Sequence, residues 1–137
     1  MCIRDSVGRQ PQEEYFRLLA RVDIGLDPFP FNGHTTTCDC LWMGVPVVML
    51  AGATYASRFG GSALVNLGLE SLIAGSQTQY VEIAIQLASD SAALETLRAD
   101  LRPRMSRSPL VDGVGFTRNL EAAYREMWAR WCGRHAA

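Results

Sequence analysis

Residues 23–48 read DIGLDPFPFNGHTTTCDCLWMGVPVV, and the fold follows from them. Residues 23–27 alternate short and apolar side chains and stop at Pro28, which predicts a strand. Pro30, Asn32 and Gly33 mark residues 29–33 as a loop. Residues 34–43 predict a helix, with Gly44 placed to cap its C-terminus. Residues 45–50 are a continuous apolar run, as expected of a buried strand. Pro46 falls in its first residues, where a missing N–H is tolerated. Strand, loop, helix and strand in succession form the unit of a parallel α/β layer.

Working outward, the pattern continues. Tyr15, Leu18, Leu19 and Val22 recur at helical spacing within residues 13–22. Residues 51–56 predict a loop and 57–66 a short helix closed by Gly68. Leu72 and Ile73 suggest one more short strand. Ser76 and Gln79 fit a capping box opening a helix with Tyr80, Ile83, Ala84 and Leu87 on one face. Residues 91–105 predict another helix, lined by Leu94, Leu97 and Leu101, that Pro103 should end or kink. Residues 114–132 predict the longest helix. Its stripe of Phe116, Leu120, Ala123, Tyr124, Met127, Trp128 and Trp131 is expected to be core. Glu121–Arg125 and Glu126–Arg130 should pair on its outer face. The fold class is therefore α/β, a Rossmann-like partial parallel sheet with a helix-rich C-terminus. Two or three strands are visible, fewer than the five or more of a complete doubly wound sheet.

Composition narrows the function. The chain has 137 residues, 48% of them apolar and 20% charged, a globular balance. Its net charge of −1 disfavours a duplex nucleic-acid binder. No apolar run approaches the roughly 20 residues that span a bilayer, so neither a nucleic acid nor a membrane is an expected partner. With no signal peptide visible, the expected location is the cytoplasm. All 13 basic residues are Arg, so an ammonium needed for chemistry must come from outside this chain. Cys2, Cys38, Cys40 and Cys132 suggest neither a disulfide framework nor a zinc site. On a helix, the thiols of Cys38 and Cys40 point about 200° apart, as two small core residues would. Residues 1–6 lack a cap or an apolar face. They are read with residues 7 and 8 as a non-native or unstructured leader, and residues 9–137 as part of a larger domain.

The chemistry lies where the helix opens with His34, Thr35 and Thr36 after Gly33. The first turn of a helix has unpaired N–H groups and a partial positive charge, a natural phosphate site. Gly33 lets backbone approach a ligand, and the three hydroxyls of Thr35, Thr36 and Thr37 add donors. Asp39 shares the face of Thr35 and Thr36, where a carboxylate can grip a ribose diol. Ordinary capping by Thr and dipole compensation by Asp explain the same residues without a ligand. His34 could equally be a cap, and His135 receives no role. Asp27 at a strand end raises a phospho-acceptor reading. That reading fails for want of an acidic pair and a Lys.

GHTTTCDCLWMGVPVV, followed by GATYASR and by SPL at residues 108–110, resembles the C-terminal catalytic region of O-GlcNAc transferase and SPINDLY-like enzymes, glycosyltransferase family 41. The resemblance runs from about Arg9 to Trp131. It implies a GT-B architecture, two Rossmann-like domains with the donor between them, of which this chain is the later part of the second. It implies that His34, Thr35 and Thr36 approach the diphosphate and sugar of UDP-GlcNAc or another UDP-sugar, and that Asp39 holds the ribose. Tyr15, 19 residues before His34, falls where the uracil ring is met. Gln12 replaces a Lys of the animal enzymes near the base. Phe31 replaces a small Cys near the sugar, which leaves the sugar open. The resemblance implies no metal and no other cofactor. It places the diphosphate-binding Lys, the acceptor-side His and the TPR repeats upstream, so no catalytic residue is assigned here. The expected function is the UDP-sugar-binding part of a protein O-glycosyltransferase, moving GlcNAc or another hexose to Ser or Thr hydroxyls of a protein or peptide acceptor. The alternative is a non-catalytic Rossmann-like module that binds UDP or a protein partner. Alone, the chain is expected to be inactive.

Overall fold

The structure is a computed structural model, and it describes residues 6–135. In chain order its elements are α1 (Gln12–Leu19), β1 (Gly25–Leu26), α2 (Thr35–Trp42), β2 (Val47–Leu50), α3 (Phe59–Asn66), β3 (Ile73–Ala74), α4 (Gln77–Ser89), α5 (Ser91–Ser106) and α6 (Gly113–His135). Short 3-10 turns occupy Tyr55–Ser57 and Glu70–Leu72. The three strands form one parallel sheet in the order β1-β2-β3. Every βα loop therefore leaves from the same, carboxyl edge of the sheet. This is where open α/β sheets collect ligands. No helix is long and apolar enough to cross a membrane among the described residues.

The expected α/β class and parallel sheet are observed. The first strand is shorter than expected, but Asp27 N–H still donates to Val48 O at 2.9 Å and extends the ladder. β2 is buried along its whole length, as its apolar run requires. Around α2 the core divides in two. Leu41 joins Met49, Leu64, Leu101 and Met105, with Cys38 packed against them. Cys40 faces the other way, into Leu19, Val45 and Val47. The two thiols are thus free core residues on opposite sides of one helix.

Helix ends are closed by a shared device. Val45 N–H donates to Cys40 O at 2.8 Å and Gly44 N–H to Leu41 O at 3.2 Å, a Schellman cap on α2. Leu69 and Gly68 repeat it on α3, donating to Leu64 O and Val65 O. Gly44 and Gly68 supply the positive φ this turn demands, 77° and 67°. Three arginines of α5 then reach the C-terminal carbonyls of three earlier helices. Arg98 donates to Ala20 O beyond α1 and to Val22 O. Arg102 donates to Trp42 O at 2.8 Å and lies over the Trp42 ring. Arg104 donates to Leu67 O and Gly68 O. Cations at helix C-termini also oppose the helix dipole.

Four expectations need correction. Residues 57–66 do not form one helix. Thr54 and Ser57 cap each other in a separate 3-10 turn, and Arg58, at φ −131°, breaks it from α3. Ser76 caps α4 by accepting from Gln79 N–H, but the Gln79 side chain bonds Gly75 N–H instead of Ser76. Pro103 does not end α5, which continues to Ser106. Pro103 and Ala99, whose carbonyl loses a partner, are both exposed, and buried Leu101 and Met105 hold the helix on its other side. The stop comes from Ser108, whose hydroxyl donates to Met105 O and accepts from Leu110 N–H. The stripe on α6 is not core in this chain: Phe116 is 64% exposed and Trp128 65%. Glu121–Arg125 and Glu126–Arg130 do pair on that helix. Of the expected leader, residues 1–5 lie outside the described residues, and 6–8 carry no helix or strand.

A Cβ at Gly44 would stand 2.9 Å from Arg98 O as well as in the left-handed region. Gly44→Ala should therefore cost at least about 1–2 kcal/mol in urea unfolding. Gly133→Ala, with nothing within 4 Å of the added carbon, should not destabilise.

Candidate functional site

The loop between β1 and α2 is organised by one buried carboxylate. Asp27 directly follows β1 and is 5% exposed. Its Oδ1 accepts from Gly33 N–H at 2.7 Å. The Gly33 carbonyl in turn accepts from the Thr37 hydroxyl at 2.8 Å. From α4, the Tyr80 hydroxyl donates to Asp27 O at 3.0 Å. These bonds fix the turn that sets the direction of α2. Gly33 is required there, since a Cβ would meet Thr37 Oγ1 at 2.8 Å and Asp27 Oδ1 at 3.2 Å. Gly60 is required opposite, since its Cβ would stand 2.9 Å from Asp27 Oδ2. Asp27 Oδ2 and the nearby Asn32 Oδ1 are buried without a hydrogen-bond partner. Burial pushes the Asp27 carboxyl above its ordinary range, against the Gly33 bond and the nearby His34, which pull it down.

Thr35 and Thr36 open α2 at the surface, with no acidic side chain in the first turn. Thr37 points inward and binds Gly33, so it is not a third donor for a ligand. His34 occupies the N-cap position without capping through its side chain. Its ring stacks on Phe59 at 3.9 Å between centroids and on Phe31 at 5.7 Å, with Tyr55 edge-on at 6.0 Å. Its Nε2 is buried and has no partner. The loop 51–58 and α3 therefore hold His34 from the neighbouring βα connection.

Asp39 lies one turn into α2 and is half-buried. The Tyr15 hydroxyl, from α1, donates to Asp39 Oδ2 at 3.2 Å. Burial and Asp39 push the Tyr15 phenol above its ordinary range, while a hydrogen bond with Thr36 pulls it down. Cys40, behind Asp39, is pushed up to about 11 by burial, Asp39 and Asp27, so it stays a thiol at neutral pH. A crevice of about 170 Å³ runs beneath, lined by Asp27, Gly33, Thr36, Thr37 and Cys40 among others.

Of the residues singled out in the sequence, Gly33, His34, Thr35, Thr36 and Asp39 come together on one helix start. Tyr15 joins them through Asp39, and Phe31 through His34. Gln12 begins α1, exposed, one turn before Tyr15. The sequence reading missed Asp27, Asn32 and Tyr80 as the scaffold of this turn. An Asp before Pro28 at a strand end was the available signal. Tyr80 lies 53 positions away and gave none.

Three parallel strands with helix starts along the carboxyl edge of the sheet make this an α/β fold of the Rossmann-like class. Comparison with known proteins gives the family. The model of glycosyl transferase family 41 matches residues 6–120, and the chain belongs to that family. It is 45% identical over 143 aligned residues to a probable UDP-N-acetylglucosamine–peptide N-acetylglucosaminyltransferase SPINDLY of Solanum lycopersicum, covering 96% of this chain and 15% of that protein. The SPINDLY protein of Hordeum vulgare is 49% identical over 119 residues, covering 87% of this chain and 13% of that protein. The structure matches a lysine-to-methionine mutant of the Thermobaculum terrenum O-GlcNAc transferase with a TM-score of 0.85 and 39% identity, covering 93% of this chain and 24% of that one. The Rossmann-like fold expected of part of such a transferase is thus observed. The chain spans only a small part of the length of these relatives.

The raised Asp27 carboxyl has a consequence for stability. Its proton is held more tightly in the folded than in the unfolded chain. Asp27 therefore favours folding at low pH, and this is lost as pH rises from the ordinary carboxylate value of 3.8 through the folded one. Asp27→Asn keeps an acceptor for Gly33 N–H without the charge. Its stability relative to the parent should grow across that interval and then level off, as read by urea unfolding at a series of pH values. Asp27→Ala, which leaves Gly33 N–H unpaired, should cost about 1–3 kcal/mol at low pH and less as pH rises through that interval.

Proposed function

We propose that this chain carries the donor-binding surface of a protein O-glycosyltransferase and binds UDP or a UDP-sugar at the start of α2. The observation that carries the reading is the exposed Thr35–Thr36 helix start with Asp39 one turn on, in a chain of glycosyl transferase family 41. The relatives named above are named for UDP-N-acetylglucosamine as donor and a peptide as acceptor. In this reading the diphosphate meets the N–H groups and hydroxyls of Thr35 and Thr36, and the ribose diol donates to Asp39. The Tyr15 ring offers a face to the base, with Gln12 one turn away. Phe31 and His34 border the sugar, and the bulk of Phe31 leaves GlcNAc and another hexose both as candidates.

The physical contribution to transfer is electrostatic. When an acceptor Ser or Thr hydroxyl attacks the anomeric carbon, the bond to UDP breaks and charge grows on the β-phosphate. Fixed N–H dipoles aimed at that charge stabilise it without reorganising, which is commonly the largest catalytic contribution. His34, held between aromatic rings, orients phosphate or sugar and is not assigned as a base. Acceptor binding and the cationic partner of the diphosphate are assigned to the rest of the protein, since this chain has no Lys.

Calorimetric titration with UDP tests the reading, after circular dichroism has shown each variant to be folded. The chain should bind UDP. Asp39→Ala should weaken binding about 10- to 100-fold, the scale of hydrogen bonds to a charged group. Thr36→Val should weaken it about 3- to 10-fold. A folded chain that does not bind UDP, or binds it equally well in both variants, contradicts the proposal.

A further inference from the structure

The structure assigns the Tyr15 hydroxyl a role separate from its ring: it positions Asp39 for the two hydroxyls of a ribonucleotide. This rests on the reading of the α2 start as the nucleotide site. Tyr15 comes from α1, 24 positions before Asp39, yet its hydroxyl reaches the carboxylate at 3.2 Å. A half-buried carboxylate on a helix surface would otherwise be free to rotate about its side-chain torsions, which are broad at the carboxylate end. With Oδ2 held by Tyr15, the plane of the group is fixed. Oδ1 accepts no hydrogen bond among the described residues and is left for the ligand.

The arrangement also has a support behind it. The Tyr15 ring is tilted against Phe16 at 5.3 Å between centroids and packs on the cluster of Leu19, Cys40, Val45 and Val47. Cys40 belongs to α2, next to Asp39. The ring thus anchors α1 against α2 by packing, while the hydroxyl orients the acid. Tyr15→Phe removes the second function and keeps the first. Preorganising a charged acceptor in this way raises affinity by lowering the ordering cost on binding.

The ligands that separate the two functions are UDP and its 2′,3′-dideoxy analogue, each titrated into the whole 137-residue chain. Tyr15→Phe should lose about tenfold in UDP affinity, the scale of one hydrogen bond to a charged group. Its affinity for the dideoxy analogue should equal that of the parent. In an Asp39→Ala background, Tyr15→Phe should have no further effect on UDP, since the two residues act as one unit. A general loosening of α1 would instead weaken both ligands alike. Equal losses on both ligands, or an unchanged UDP affinity in a parent that binds UDP, overturn the inference alone. Absence of UDP binding by the folded parent overturns the nucleotide reading and this inference with it.

Discussion

A single short hydrogen bond, from Gly33 N–H to the buried Asp27 carboxylate, is the constraint on which the candidate site depends. It ties the end of β1 to the approach to α2 across the five residues between them. Thr37 closes the turn from inside and Tyr80 braces it from α4, so the helix start has one direction relative to the sheet. The glycines at 33 and 60 are there because side chains would occupy the space of the carboxylate and its partners. Burying a carboxyl group costs stability, and here the direction of the α2 start depends on it. Strained or costly local features of this kind are common where a fold positions a functional site.

The rest of the chain holds that turn in register. Hydrophobic packing places α2 between two clusters, but packing alone does not fix where helices end. Schellman turns at Gly44 and Gly68 do so locally, and the arginines at 98, 102 and 104 do so from α5. One helix thereby caps three others, and its own end is set by Ser108. The outcome is a firm carboxyl edge along which all three βα loops lie. α6 takes no part in this frame, and its aromatic stripe stays at the surface.

Much of this was legible in the sequence because it is local. An apolar run such as 45–50 has one good interpretation, and Gly after an apolar helix face marks a cap. The GHTT motif gave the helix start and Asp39 together. What was hidden is non-local. The Arg98, Arg102 and Arg104 contacts join residues far apart in sequence, and no period betrays them. The bond from Tyr80 to Asp27 is of the same kind. Pro103 does not mark the end of a helix here, because α5 is held by Leu101 and Met105 on its buried side. The α6 stripe misled because amphipathicity states that a face needs cover and does not say where the cover comes from. Tyr15 was read for its ring, and only the fold brought its hydroxyl to Asp39.

The start of α2 is the proposed phosphate and ribose site. The most direct measurement is a titration of the amide spectrum of the labelled chain with UDP, residue by residue. Saturable shifts should be largest at Thr35, Thr36 and Asp39, with smaller ones at Tyr15 and Gly33. Saturable shifts confined to other surfaces, with the α2 start unmoved, would contradict it.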